Sequence, residues 1–217
     1  MHWAPWELFD ATTFATYLAA AAALVAAPGP GQALVVARTL QGGLRAGLFT
    51  SVGLNLGTLG HTVAAALGLS ALLLASATAF TVVKLVGAVY LVFLGARLVA
   101  GTLRSRPVAA PVRNEVSGVP GSRLLAHGVL TGLLNPKVAV FFLAFLPQFV
   151  RPERGAVLVQ FAVLGVVLAT LGVMGDSLVA VIAARTRRKM AAGVWRERLT
   201  GSLLIALGVR LAFVRAR

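Results

Sequence analysis

An apolar stretch running from Tyr17 to Val36 contains Pro28-Gly29-Pro30, and that interruption limits what the chain can become. Each proline removes an amide donor, and its ring clashes with the carbonyl four residues back. No continuous helix passes through. Inside lipid, the freed backbone must face protein or a water-filled cavity. The break is therefore either a simple kink or part of a binding site, and the rest of the chain has to decide between them.

Composition places the break in a membrane. Of 217 residues, 59% are hydrophobic and 12% are charged, with a mean hydropathy of +0.89. A soluble domain of this length could not bury so much apolar surface. The first residues carry Glu7 and Asp10 but no Lys or Arg, so no signal-peptide pattern is read there. Cysteine is absent, which excludes disulfides and thiolate metal sites. The net charge of +14 invites a nucleic-acid partner. The basic residues, however, sit in short segments between apolar runs, and a basic nucleic-acid patch needs a soluble face. No nucleic-acid partner is expected; membrane lipids are.

Six runs, 13–36, 46–69, 78–100, 124–149, 156–183 and 199–214, are long enough to cross about 30 Å of hydrocarbon as helices. The 1–2, 3–4 and 5–6 connections and their flanks hold thirteen basic residues, Arg38 and Arg187 among them, against six on the other side. The positive-inside rule then puts both termini outside and the basic connections in the cytoplasm, in a plasma (inner) membrane. Trp3 and Trp6 suit an outer interfacial anchor, and Trp195 suits either an inner anchor or the packed interior. The Pro- and Arg-containing segment 102–122 reads as a cytoplasmic linker between a first group of three helices, 1–101, and a second, 123–217. An odd number of helices per group makes the second enter the membrane inverted. The expected fold is thus an all-α, polytopic membrane protein of six transmembrane helices, arranged as two inverted three-helix repeats.

The second group holds a matching irregularity, Asn135-Pro136-Lys137, in the middle of the fourth run. Paired breaks in corresponding helices, here 1 and 4, point to a transporter site near the bilayer midplane. After Pro30 a new half-helix leaves the amides of Gly31, Gln32 and Ala33 without upstream partners. After Asn135, a favoured N-cap, and Pro136, a favoured first residue, the amides from Lys137 onward face the break. Two positive helix ends approaching from opposite sides attract an anion, and a substrate carboxylate is the natural occupant. Lys137 adds a positive charge at a depth from which snorkelling is difficult.

Asp176, in the fifth run, lies on a small-residue face with Gly165, Ala169 and Gly172. It pairs with Lys137 as a structural ion pair, binds a substrate amine, or carries a coupling proton. In the second run Ser51, Asn55, Thr58 and Thr62 form a polar stripe with His61 at its edge, beside Gly53, Gly57 and Gly60. That helix packs closely on one side and lines a polar space with the other. His61 either relays protons or is hydrogen-bonded between helices. Lys84, Gly87, Tyr90 and Gly95 read as snorkelling and packing. Gly43/Gly47 and Gly128/Gly132 are small-xxx-small pairs, a weak signal for a homodimer. No phosphate-binding loop, His-Glu-x-x-His or Gly-x-Ser-x-Gly occurs, so no cofactor is expected and an ion or proton gradient would drive transport.

Several stretches together resemble the lysine exporter (LysE/RhtB) family of amino-acid efflux permeases. They are Pro28-Gly29-Pro30, Gly42-Gly43-Leu44-Arg45-Ala46-Gly47, Gly53 through His61, Lys84, Gly87, Tyr90-Leu91, Gly95, Gly132-Leu133-Leu134-Asn135-Pro136-Lys137 and Phe145-Leu146-Pro147-Gln148-Phe149. The resemblance implies a six-helix exporter, typically dependent on the proton-motive force, that moves amino acids or related small metabolites out of the cytoplasm. Gly31 stands where relatives often place Asn or Asp, and Thr58 where many have an acidic or amide residue.

The resulting expectation is an exporter, not an enzyme. Pro28, Gly29, Pro30, Gly31, Gln32, Asn135, Pro136 and Lys137 hold the substrate, Asn55 and Thr58 line its cavity, and Asp176 and His61 couple protons. An inorganic-cation exporter using Asp176, His61 and Asn55 is the main alternative, although one carboxylate makes a poor cage for a hard cation. An intramembrane enzyme using His61 and Asp176 is a further one.

Overall fold

The computed structural model describes residues 8–75 and 118–185, together with positions 82, 85, 89, 92, 93 and 96 of the third run. The sixth run, the rest of the third with Lys84, Gly87, Tyr90 and Gly95, the linker up to 117, and all three tryptophans lie outside the described residues.

Helix α1 spans Ala11–Ala26. Asp10 caps it, accepting from the Thr13 amide and the Thr13 hydroxyl at 2.8 Å each. These bonds, the amide first, hold the Asp10 carboxyl below the ordinary carboxylate range. Pro28 ends the helix: Ala27 is extended (φ −62°, ψ 120°), as a residue before proline tends to be.

Helix α2, Pro30–Ala75, starts directly after the break. Straight, its 46 residues would measure about 69 Å, far more than a bilayer core. It is not straight. Gly43 adopts φ 77° and ψ −179°, a backbone state open to glycine and strained for other residues. A side chain on Gly31 would touch Leu54 at 3.3 Å, and one on Gly47 would overlap Thr39. Positions equidistant from Gly43 therefore face each other, and α2 is a helical hairpin whose turn falls between the first and second runs.

Helix α3, Gly121–Leu133, leads to the second break. Helix α4, Pro136–Val140, follows it and continues as a π-helical turn, Phe141–Phe145, and a 3₁₀ turn, Leu146–Phe149. Asn135 caps α4, its side-chain oxygen accepting the Lys137 amide at 3.1 Å. After a 3₁₀ turn at Pro152–Arg154, helix α5 runs over Val157–Arg185, 29 residues with a mean hydropathy of 2.4 in its most apolar window. By length and composition α5 can cross a membrane alone. Two bent pairs pass the same test: α3 with Pro136–Phe149, bent by 46°, and α1 with Pro30–Gly68, bent by 51°. In the second pair the hairpin at Gly43 leaves the first arm of α2 as the continuation of α1.

Glycines set how closely these helices approach. Cβ atoms on Gly53 and Gly57 of α2 would lie 3.0 and 2.8 Å from the Cα atoms of Gly128 and Gly132 of α3. On α5, Gly165 receives Thr62 and Gly172 receives Asn55. Of the small-xxx-small positions, Gly43 makes the hairpin turn, Gly47 accommodates Thr39, and Gly128 and Gly132 face α2.

The main apolar core lies on one side of both breaks, before the first in α1 and after the second in α4 and its continuation. Tyr17, Phe141, Phe145, Phe149, Phe161 and Leu164 are buried there. The Tyr17 ring meets Phe149 edge-on at 5.2 Å, and its hydroxyl donates to the Leu164 carbonyl. Gln160, fully buried, clamps the adjoining loop by accepting from the Arg151 amide (2.7 Å) and donating to the carbonyls of Arg151 (2.7 Å) and Gly155 (3.2 Å). On the other side of the breaks, Val35, Leu54 and Ala180 form a smaller cluster.

Candidate binding cavity at the helix breaks

A broken helix exposes carbonyls at one new end and amides at the other. The Leu24 carbonyl keeps a bond from the Ala27 amide at 3.2 Å, but the residue-28 amide that an unbroken α1 would add is missing, because Pro28 has none. Lys137 replaces it from across the fold, Nζ donating to Leu24 O at 3.0 Å and Ala27 O at 2.8 Å. Gln32 Nε2 donates to Val25 O at 2.6 Å. At the second break the Gly132 carbonyl accepts from the Asn135 amide at 3.2 Å. His61 Nε2 lies 3.3 Å from the same oxygen, an arrangement that makes Nε2 a donor.

The amide ends differ. In α2 the first helical bond runs from the Ala33 amide to Gly29 O at 3.0 Å, so helix geometry gives the Gly31 and Gln32 amides no upstream carbonyl. In α4 the Lys137, Val138 and Ala139 amides all turn to Asn135, the first to Oδ1 and the others to its carbonyl. The sequence predicts two helix ends open toward an anion; the structure closes the second with its own cap.

Between the breaks lies a cavity of about 50 Å³, room for a few waters. Gly31, Gln32, Asn55, Thr58, Asn135, Lys137 and Asp176 all line it, drawn from α2, the second break, α4 and α5. Asp176, 9% exposed, accepts from Asn55 Nδ2 at 3.1 Å, and Asn55 Nδ2 also reaches Ser51 O at 2.9 Å. Thr58 turns its hydroxyl toward Leu54 O at 3.4 Å. Asn135 Nδ2 lies 3.6 Å from where a Cβ on Gly31 would sit. Lys137 and Asp176 share the cavity, yet each is held by uncharged partners rather than by the other. A buried charge needs that many hydrogen bonds to be tolerated.

Of the other predicted residues, Pro28, Gly29, Pro30 and Pro136 shape the breaks without lining the cavity. His61 stays outside the lining, stacked on Phe142 at 5.9 Å and placed between α2 and α3. The cavity wall also includes Leu24, Val25, Leu54, Gly132, Val138, Leu168 and Gly172, which sequence reasoning did not select. Gly172 was within reach, because it shares the small-residue face of Asp176. The apolar residues had no signal that set them apart from other core positions.

An all-helical chain whose bent spans meet at a cavity holding one ammonium and one carboxylate has the build of a membrane translocator. The LysE type translocator family matches it over residues 22–215, and the chain belongs to that family. It is 33% identical to an uncharacterized membrane protein of Vibrio cholerae, over 95% of this chain and 100% of that one. It is 25% identical to the leucine efflux protein of Klebsiella pneumoniae, over 96% and 98% of the two chains. With the leucine efflux protein of Salmonella typhimurium it shares 29% identity over 70% of each. No solved structure matches it. The chain is a membrane protein of a translocator family.

Proposed function

We propose that this protein is a secondary transporter that exports an amino acid from the cytoplasm, with neutral aliphatic substrates such as leucine first in line, driven by the proton gradient. The observation behind this reading is the convergence of six polar side chains and the Gly31 backbone from both breaks, α2 and α5 on one cavity. The open amides of Gly31 and Gln32, with Asn135 Nδ2 beside them, suit a carboxylate. Asp176, oriented by Asn55, suits the α-amine or the coupling proton. Leu24, Val25, Leu54, Val138 and Leu168 suit an apolar side chain. The relatives named for leucine efflux support the same substrate. The cavity of about 50 Å³ holds only a few waters, so loading an amino acid requires the helices to move apart, as alternating access between two inverted three-helix repeats would provide.

The protein would lie in the plasma membrane with six helices and both termini outside. The cation-exporter reading has less support, because among the described residues no three carboxylate, imidazole or thiol groups gather. The test is efflux from cells preloaded with leucine, lysine or a divalent metal salt. Faster leucine loss that collapses with a protonophore is expected. Protection against the metal with no amino-acid efflux would overturn the reading.

A further inference from the structure

The carbonyl end of α1 plays no part in the binding scheme above, yet a buried cation occupies it. Lys137 is 8% exposed and directs two of its three N–H donors to Leu24 O and Ala27 O. A helix C-terminus attracts a cation, and buried carbonyls without donors would each be unfavourable. The surroundings fit the side chain on every side. Pro28 removes the helical amide that would bond to Leu24 O, leaving only the Ala27 amide there at 3.2 Å. Gly29 leaves the path open, since a Cβ there would lie 3.3 Å from Nζ, 3.5 Å from Cε and 3.7 Å from Cδ. At its other end, the Lys137 backbone is fixed in the first turn of α4 by the Asn135 cap.

We propose that Lys137 is the strut between the two breaks, a positioning residue that makes the bent helices move as one unit during transport, and not a ligand of the substrate carboxylate. The proposal rests on the transporter reading above. It explains why both breaks are needed: one leaves a helix end short of amide donors, and the other supplies the cation that makes up for them. Without the strut, the carbonyl end of α1 and the start of α4 would be joined only through the aromatic core beyond them, their spacing would vary, and the cycle would stall even where the substrate can still bind.

The test exploits the cysteine-free sequence. Ala22 of α1 and Leu143 beyond α4 are exposed, so Ala22→Cys with Leu143→Cys takes a pair of spin labels across the breaks. The parent pair is expected to give one narrow distance distribution. Lys137→Met and Gly29→Ala are each expected to broaden it; the second keeps the charge but pushes the ammonium aside, and it carries the test if the first does not fold. In proteoliposomes Lys137→Met should lower leucine exchange at least about tenfold while leucine affinity stays within about threefold. An unchanged distance distribution in both variants overturns the strut, and this arm needs no substrate. So does a Lys137→Met protein that loses leucine binding but keeps binding leucinamide, which lacks the carboxylate. Failure of the parent protein to bind leucine at all would instead overturn the substrate reading and leave the distance result standing.

Discussion

Pro28 and Lys137 are 109 positions apart, yet one defines the task of the other. Removing the amide at residue 28 leaves Leu24 O with only the 3.2 Å bond from the Ala27 amide, and an ammonium arrives through a bond spanning 113 residues. The cap at Asn135 was legible in the sequence because its partner is two residues away. The partner of Lys137 was not, because a list of side chains does not show which backbone carbonyls are left open. Asp176 is the residue with the sharpest functional expectation. Asp176→Asn should reduce proton-driven net leucine efflux at least about tenfold with the protein still in the membrane, and normal net efflux by that variant would remove Asp176 from the coupling role. Gly172→Ala should act indirectly, because its Cβ would collide with Asn55 Oδ1 and push the amide off Asp176. Leucine affinity should fall about five- to twentyfold, the equivalent of about 1–2 kcal/mol, with Asn55→Ala giving a similar loss in the same binding titration.

The helices owe their arrangement to glycines used in two different ways. Gly43 is required by its backbone angle, whereas Gly53, Gly57, Gly128 and Gly132 are required by what lies opposite. Gly57→Ala would bring a Cβ within 2.8 Å of Gly132 Cα and 2.7 Å of the Leu133 amide nitrogen, so it should destabilise the folded protein by about 1–3 kcal/mol. Gly68→Ala meets nothing within 4 Å and should stay within about 0.5 kcal/mol; thermal unfolding in detergent compares the two. Gln160 belongs to this scale as well, because it ties the 151–155 loop to the start of α5. Gln160→Ala strands the Arg151 amide and two carbonyls, at about 1–3 kcal/mol, and hydrogen exchange of the Arg151 amide should accelerate. The sequence showed that these glycines lie on packed faces but left open whether the partner was another helix or another copy of the chain. Which helices lie opposite them is visible only in the contacts of α2 with α3 and α5.

For the molecule as a whole, the thick aromatic core lies on one side of the breaks and a thin cluster of Val35, Leu54 and Ala180 on the other. Under the proposed orientation the thick side faces out and the thin side faces the basic connections. The cavity would then load from the cytoplasm by parting the thin side, which is the direction an exporter needs. A reporter fused to the C-terminus and active only in the cytoplasm should stay silent, while one active only outside should be bright; the reverse would overturn both the orientation and the even number of spans.

The sequence by itself determined what depends on composition and on near neighbours. Apolar runs that only a membrane can accommodate, prolines that only a broken helix can hold, and an Asn-Pro step that starts a new one are all written within a few residues. The family follows from the same local stretches. What only the tertiary structure decided is the pairing of distant groups. It set the hairpin arms of α2 against each other, placed His61 on Gly132, and brought six polar residues to one cavity. It also left Lys137 on the open carbonyls of α1 instead of free beside them. The physical reason is that a helix break creates two unsatisfied ends. Local sequence shows how each end forms, but the donor that completes it comes from wherever the fold brings one near.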